Sequence, residues 1–153
     1  MGMDTSTSPD SNFLHCALLL AGVSELLPGI VNAELQHDTG ISQFAFFTLS
    51  ELSKQPCHGM RLKELAACTN TTMARLSRVI TQLESEHLVR KIKLDGPGRA
   101  VEIHISDEGK ARLEHATVSF VSVMHSKVLA DLNAEELQNL EKITTRLIAT
   151  MHP

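Results

Sequence analysis

The stretch from Thr69 to Lys91 combines arginines and hydroxyl residues at helical spacing. Its apolar residues recur at steps of three and four, which puts them on one stripe of a helix: Met73, Leu76, Val79, Ile80 and Leu83. Polar residues occupy the opposite, solvent-facing side: Arg75, Ser77, Arg78, Thr81 and Gln82. Asn70, Thr71 or Thr72 is available as the N-cap. Because backbone amides and guanidinium groups both bind phosphate, a helix start with arginines and few acids suits a polyanion.

Two interpretations of this helix are open, and the charge distribution favours one of them. The simpler one is an ordinary surface helix with two solvated arginines. The whole chain has a net charge of −4, but positions 61–99 carry eight basic and four acidic residues, a net +4 against −8 elsewhere. A basic island in an acidic chain is typical of nucleic-acid contact. Its basic residues are Arg61, Lys63, Arg75, Arg78, Arg90, Lys91, Lys93 and Arg99.

Length and composition bound the remaining possibilities. A chain of 153 residues is long enough for one compact domain with a real core. Residues 1–10 have two acids and no Lys or Arg, which argues against a signal peptide and predicts a disordered leader. We find no run of about 18 apolar residues, so no membrane span is expected. Cys16, Cys57 and Cys68 show no CxxC spacing, so neither disulfides nor zinc is indicated and a cytoplasmic location is expected.

Two helices are predicted ahead of the basic segment. The first covers about residues 11–37 and is apolar on more than one side, which a partner subunit could cover. Pro28 and Gly29 predict a kink or a break in it. The second helix covers about residues 42–54 and ends at Gln55-Pro56. Its core candidates are Phe44, Phe47, Leu49 and Leu52.

A helix-turn-helix and a β-hairpin are predicted in the middle of the chain. A short helix over about 63–68 and a tight connection lead into the arginine-bearing helix. Two alternating stretches then flank Gly96-Pro97-Gly98, which predicts a hairpin with Arg99 at its tip. Val101, Ile103 and Ile105 are expected to face one way. A hairpin that directly follows a helix-turn-helix makes a winged helix.

Two more helices are predicted at the C-terminal end. Ser106 is the expected N-cap of a long helix that runs to about Ala130, and Asn133 with Glu136 resembles a capping box for the last helix. The apolar face of the last helix consists of Leu137, Leu140, Ile143, Leu147 and Ile148. A small winged domain does not need this much apolar surface. A dimer core built from both chain ends explains it.

The predicted fold class is therefore mainly α, with an α+β winged helix. It has six helices and a two- to three-stranded wing, and it dimerises through its N- and C-terminal helices. The expected regions are a disordered leader over 1–10, a helical dimerisation region over 11–38 and 107–151, and a DNA-binding winged helix-turn-helix over 39–106.

The order of elements and several short motifs resemble the MarR family of bacterial transcriptional regulators. The resemblance covers about residues 11–151 and rests on a set of motifs in this order: Leu62 to Ala66 (LKELA), Arg75-Leu76-Ser77, Leu83-Glu84, Leu88-Val89-Arg90, and Arg99 with Ile105-Ser106 and Gly109. One departure is Pro97, which stands where the family commonly carries an acid that holds the wing arginine.

This resemblance implies a homodimer that binds a pseudo-palindromic double-stranded DNA operator. Recognition helices would enter adjacent major grooves, and wing arginines would enter the flanking minor grooves. Arg99 matches the wing-tip arginine, and the recognition-helix positions are Thr72, Arg75, Ser77 and Arg78. The expected set of DNA-contacting residues also includes Arg61, Thr71 and Ala74. The implied function is a sequence-specific transcriptional regulator, in most such cases a repressor relieved by a small-molecule effector.

The sequence leaves three further roles to weigh. His15, Phe44 and Phe47 could line an effector pocket, although core packing explains the phenylalanines more simply. Cys16 could make the regulator a redox sensor, although a buried structural cysteine is the simpler interpretation. The main alternative function is a winged helix that docks proteins and does not read DNA.

Neither an enzyme nor a metal site is expected. The sequence contains no paired catalytic carboxylates, glycine-rich phosphate loop or nucleophile elbow. His104, His115 and His125 show no ligand spacing such as His-x-x-x-His, so scattered solvent histidines explain them. No cofactor is predicted.

Overall fold

The computed structural model describes residues 11–95 and 100–151. Its elements in chain order are α1 (Ser11–Thr39), α2 (Gln43–Ser53), β1 (Gly59–Arg61), α3 (Leu62–Cys68), α4 (Met73–Ser85), β2 (Val89–Lys93), β3 (Val101–Ile105), α5 (Asp107–Val123), a π-helical turn (Met124–Val128) and α6 (Ala134–Met151). The predicted class, six helices with a small sheet, is confirmed. The predicted leader over 1–10, the turn Gly96-Pro97-Gly98 and Arg99 lie outside the described residues.

The sheet has three antiparallel strands with β3 in the middle, flanked by β1 and β2. Strands β2 and β3 form the predicted hairpin. Ile103 and Ile105 are buried and Val101 is half-buried, so the predicted alternation is confirmed. Strand β1 has only three residues, too few for an alternating pattern to show in the sequence.

Helix α4 packs into the core through Leu76, Ile80 and Leu83, which are almost fully buried. Met73 was predicted on the same stripe, but its side chain is 45% exposed. The reason is its position at the first residue of the helix, where the chain is only entering the core. Three of the five predicted stripe residues are therefore buried, and Val79 is half-buried.

Helix α1 is continuous through Pro28, so the predicted break does not occur. A proline φ near −65° is helical, and the helix therefore continues with the loss of one backbone hydrogen bond. Only Val31, Leu35 and Thr39, near its C-terminal end, are buried. The N-terminal two-thirds exposes a large apolar surface that includes Phe13, Leu18 and Leu26.

Helix α1 contradicts the expectation that the chain has no apolar run long enough to span a membrane. An 18-residue window within it has a mean hydropathy of 1.8, and within the described chain α1 is the one helix long and apolar enough to span a membrane by length and composition. Scattered polar residues such as His15 and Glu25 interrupt the apolar run, so no continuous stretch of about 18 apolar residues is visible although the mean hydropathy is that of a span.

Helix α2 turns a different face to the core from the one expected. Phe46 is buried with 6% exposure, whereas the core candidate Phe47 is 41% exposed and Phe44 is half-buried. Leu49 and Leu52 are fully buried as predicted. Phe46 stacks on Phe120 of α5 with ring centroids 5.1 Å apart, and this contact fixes the rotation of the helix.

The predicted caps of the last two long helices are present. The Ser106 hydroxyl accepts a hydrogen bond from the Gly109 backbone N–H at 2.9 Å. The Asn133 side chain accepts from the Glu136 backbone N–H at 3.0 Å, and the Glu136 carboxylate accepts from the Asn133 backbone N–H at 2.8 Å. Helix α6 has no buried residue along its described length, because no other part of the described chain covers its apolar face.

Candidate nucleic-acid interface

A tight turn joins α3 to α4. Asn70 adopts a left-handed conformation with φ of +47°, and the Thr71 backbone N–H donates to the Ala66 carbonyl at 3.0 Å. This closes the C-terminal end of α3 in the manner of a Schellman motif. Thr72, two residues after Asn70, has an extended backbone and is the N-cap of α4. The chain thus forms the predicted helix-turn-helix.

The N-terminal end of α4 is open to solvent and carries no acid in its first turn. The Thr72 hydroxyl caps the helix by accepting a hydrogen bond from the Arg75 backbone N–H at 3.3 Å, which selects Thr72 among the three predicted caps. Ala74, Ser77 and Arg78 are exposed, and Thr71 is half-buried. With the partial positive charge of the helix start, this end favours an anionic ligand.

Arg75 differs from its neighbours because its guanidinium lies on an aromatic ring. The guanidinium carbon is 4.7 Å from the ring centroid of Phe44 in α2. The residue is exposed overall, as the sequence predicted, but one side of the guanidinium is in a cation–π contact. Arg75 therefore belongs both to the open end of α4 and to the groove beside α2.

The sheet adds further cations beside the helix-turn-helix. Arg61 at the end of β1 and Arg90 and Lys93 on β2 are exposed. Lys91 is different, because its ammonium group pairs with Glu84 of α4 at 2.7 Å. The hydrogen bond from Lys91 lowers the pKa of the Glu84 carboxyl. Lys91 thus has an internal partner, which leaves Arg90 and Lys93 as the cations of β2 that face solvent without this pairing.

The predicted effector-pocket residues are only partly together. Phe44 and Phe47 line a concave site of about 590 Å³ between α1, α2 and α4, and Arg75 and Val79 contribute its α4 side. His15 is exposed near the start of α1 and does not line it. The remaining lining residues are Pro28, Gly29, Asn32, Ser42 and Gln43. Sequence reasoning missed Arg75 as a lining residue because its partner Phe44 is 31 positions away.

The cysteines and the described histidines show no clustering that would suggest a metal or redox centre. Cys16, Cys57 and Cys68 are all exposed free thiols, so the prediction that Cys16 is a buried structural cysteine is wrong. Within residues 11–95 and 100–151, no group of three or more His, Cys, Asp or Glu side chains could hold a metal ion.

Solved structures share this fold over most of the chain. Sco3205, a MarR family transcriptional regulator from Streptomyces coelicolor solved in complex with DNA, matches with a TM-score of 0.84 at 22% identity, covering 99% of this chain and 94% of that one. AbsC, a MarR family transcriptional regulator from the same organism, matches with a TM-score of 0.79 at 22% identity, covering 93% and 95%. This chain has the MarR-family fold.

Wild-type MarR from E. coli shows the same fold, with a TM-score of 0.72 at 19% identity and coverage of 86% of this chain and 95% of that one. The sequence matches no protein-family model and no curated protein. The MarR-family resemblance seen in the short motifs is therefore confirmed by the three-dimensional fold, which extends over α1 and α6 as well as the winged helix.

Proposed function

We propose that this protein is a sequence-specific DNA-binding transcriptional regulator that acts as a homodimer. The observation that carries the proposal is the open, acid-free N-terminal end of α4, which presents Arg78 and hydroxyl groups on a helix-turn-helix. It occurs in a fold shared with Sco3205, which was solved in complex with DNA. In this proposal residues 39–106 bind DNA, residues 11–38 and 107–151 dimerise, and the protein works in the cytoplasm.

In this proposal, one set of groups positions the protein on the DNA backbone and another set reads the base sequence. Thr71, Thr72 and Ser77 and the backbone amides at the start of α4 contact phosphates and set the register. Arg78 and Arg75 read guanine edges in the major groove. Arg61 contacts the backbone beside the sheet, and Arg99 enters the adjacent minor groove. Two such units related by a two-fold axis fit half-sites roughly one helical turn apart.

The exposed apolar faces of α1 and α6 support the dimer. Leu140 and Ile143 of α6 are 36% and 54% exposed, and Phe13 and Leu26 of α1 are each 69% exposed. Apolar surface of this extent on two long helices is costly in water and is buried by a second copy of the same two helices. The same pairing accounts for α1 without a membrane.

A direct test of base recognition compares two arginine variants of α4 with a variant of a surface cation at the end of α2. The duplex would be selected from random sequences with the wild-type protein. We expect Arg78→Ala or Arg75→Ala to cost about 1–3 kcal/mol of specific binding in an anisotropy titration. Lys54→Ala, which removes a surface cation paired with Glu51 at the end of α2, is the control and should bind normally. Wild-type affinity in both arginine variants would remove the recognition assignment.

The salt dependence of binding discriminates this proposal from a protein-docking module. A regulator that neutralises phosphates must lose affinity for duplex DNA steeply as salt rises, because counterions are released on binding. A docking module would show weak binding with a shallow slope.

The groove between α1, α2 and α4 supports a second element of the proposal, a repressor relieved by a small effector. Arg75 and Phe44 offer a cation and a ring to a planar acid in a site of about 590 Å³. A ligand there would contact α4 itself and so alter DNA binding. Titration of the protein–DNA complex with benzoate and related aromatic carboxylates tests this. Release of DNA by one of them, lost in Phe47→Ala, is the expected result.

A further inference from the structure

Arg112 of α5 connects the C-terminal ends of two other helices. Its Nη1 donates a hydrogen bond to the backbone carbonyl of Thr39, the last residue of α1, at 3.0 Å. The same nitrogen is 3.9 Å from the Glu86 carboxylate, and Glu86 is the C-cap of α4. Arg112 is half-buried, and both of these partners lie far from it in sequence. One guanidinium therefore lies at the junction of α1, α4 and α5.

The Arg112 contact with α1 has a clear electrostatic basis. Gly40 follows Thr39 with φ of +73°, and its N–H donates to the Gln36 carbonyl at 3.1 Å, so α1 ends in a left-handed cap. This ending leaves the Thr39 carbonyl free to accept from Arg112. A cation at a helix C-terminus also opposes the partial negative charge of the helix end. The guanidinium thus fixes where α1 stops relative to α5.

The C-terminal end of α4 is held at the same junction by two further contacts. The Ser106 hydroxyl donates to the His87 carbonyl at 2.6 Å, and the Ser106 N–H donates to the Leu88 carbonyl at 3.0 Å. The Gln82 side chain donates to Glu86 at 3.0 Å and orients the carboxylate that faces Arg112. The end of α4 is therefore tied to the start of α5, and Arg112 extends that tie to α1.

We propose that Arg112 is a positioning residue that sets the angle of α4 relative to the dimerisation helix α1. This inference rests on the proposed function, because the angle matters where two copies of α4 must meet two half-sites. Arg112 lies on α5, outside the set of residues predicted to contact DNA, and acts through Glu86 and Thr39. Its loss leaves each winged helix able to bind a half-site but lets the distance between the two α4 helices vary.

The angle can be measured within one chain, independently of dimerisation and DNA. Spin labels would be placed at Gln36→Cys on α1 and Thr81→Cys on α4, both exposed positions, after replacing the three native cysteines with serine. Labelled protein is diluted with unlabelled protein so that only distances within one chain are recorded. We expect Arg112→Ala to widen the distance distribution roughly twofold, because the α4 end then samples more than one packing. Glu86→Gln should widen it less.

Lys110→Ala is the matched control, because this cation of α5 pairs with Asp107 of the same helix at 3.5 Å. Its distance distribution should equal that of the wild type. Circular dichroism checks that each variant is folded, and Arg112→Gln, which removes the charge but keeps a polar side chain, replaces the alanine variant if that one unfolds. An unchanged distribution in the folded Arg112 variant and in Glu86→Gln would overturn the proposal.

DNA with altered half-site spacing provides the functional readout. On a selected duplex, the wild type should prefer its own spacing by about tenfold over a spacing changed by one base pair, and Arg112→Ala should lower that preference to under about threefold. Affinity for a single half-site should be unchanged. If the wild type selects no duplex, the proposed function fails, and the label distances still decide the role of Arg112.

Discussion

At the scale of a single residue, Arg75 has two partners to choose between: the Phe44 ring and, in the proposed function, DNA. Its guanidinium stacks on Phe44 at 4.7 Å, while its backbone belongs to the open end of α4. The proposed contact with a base edge and the observed contact with Phe44 place different demands on the same side chain. We propose that Arg75 leaves the Phe44 ring when it contacts a base edge, so that loss of the cation–π contact opposes binding.

Replacing Phe44 with leucine is expected to tighten DNA binding. A cation–π contact at an exposed site is worth about 0.5–1 kcal/mol, so Phe44→Leu should raise affinity about two- to fivefold. The measurement is an anisotropy titration of the selected duplex. In an Arg75→Ala background the same substitution should have no effect, because the contact is already gone. Weaker binding in Phe44→Leu would mean that the ring presents Arg75 to DNA instead.

At the scale of secondary-structure elements, polar contacts join α1 to α5 and to the π-helical turn that follows α5. Asp38 at the end of α1 accepts a hydrogen bond from the Ser119 hydroxyl of α5 at 2.7 Å and is 2.9 Å from the His37 ring. The hydrogen bond from Ser119, followed by that from His37, lowers the pKa of the Asp38 carboxyl. The hydrogen bond to Asp38 raises the pKa of the His37 imidazole. Lys127 adds an ion pair to Glu34 at 2.5 Å.

The two pKa shifts predict a pH profile of stability with two limbs. Ionised Asp38 stabilises the fold above its ordinary pKa of 3.8, and this contribution is lost as pH falls through the lowered value. Protonated His37 stabilises the fold below its ordinary pKa of 6.5, and this contribution is lost as pH rises through the raised value.

Thermal melts across both limbs measure these contributions. Ser119→Ala should move the pKa of Asp38 back towards its ordinary value and flatten the acid limb, whereas His37→Gln should remove the His37 share of the neutral limb. Identical acid limbs in the wild type and Ser119→Ala would rule out the Asp38 link.

The start of α5 leaves no room for a side chain at Gly109. A Cβ there would overlap the Leu88 carbonyl oxygen and lie 2.8 Å from Cγ1 of Ile105. We expect Gly109→Ala to lower the free energy of unfolding by about 1–3 kcal/mol, because α5 must move away from the sheet. Urea denaturation measures it, with Ala111→Gly on the exposed side of α5 as the control for helix propensity. A stability equal to that of the wild type would contradict this packing.

The order of the six helices and the hairpin was predictable from sequence, whereas strand β1 and the face that α2 turns to the core were not. Local signals fixed the caps Ser106 and Asn133 and the hairpin, because capping and alternation depend on a few neighbouring residues. The choice of Phe46 over Phe47 as the core residue depends on Phe120, which is 74 positions away. The contacts of Arg75 with Phe44 and of Arg112 with Thr39 are likewise long-range and left no local pattern.

At the scale of the whole molecule, the exposed apolar faces of α1 and α6 raise the question of whether the protein is a monomer or a dimer. We expect Ile143→Asp, which puts a charge in the centre of the α6 apolar face, to shift the protein towards monomer in sedimentation equilibrium, because burying an unpaired carboxylate is costly. Thr144→Asp, on the neighbouring position of α6, is the control. A dimer of unchanged strength in Ile143→Asp would exclude this face from the interface.

The two-fold pairing of DNA-binding units is the central claim, and the stoichiometry of the protein–DNA complex tests it most directly. Native mass spectrometry would be applied to the wild-type protein with a duplex selected from random sequences. We expect two chains on each duplex and two half-sites in the selected sequence. One chain per duplex, or no duplex retained above the background of random DNA, would contradict it.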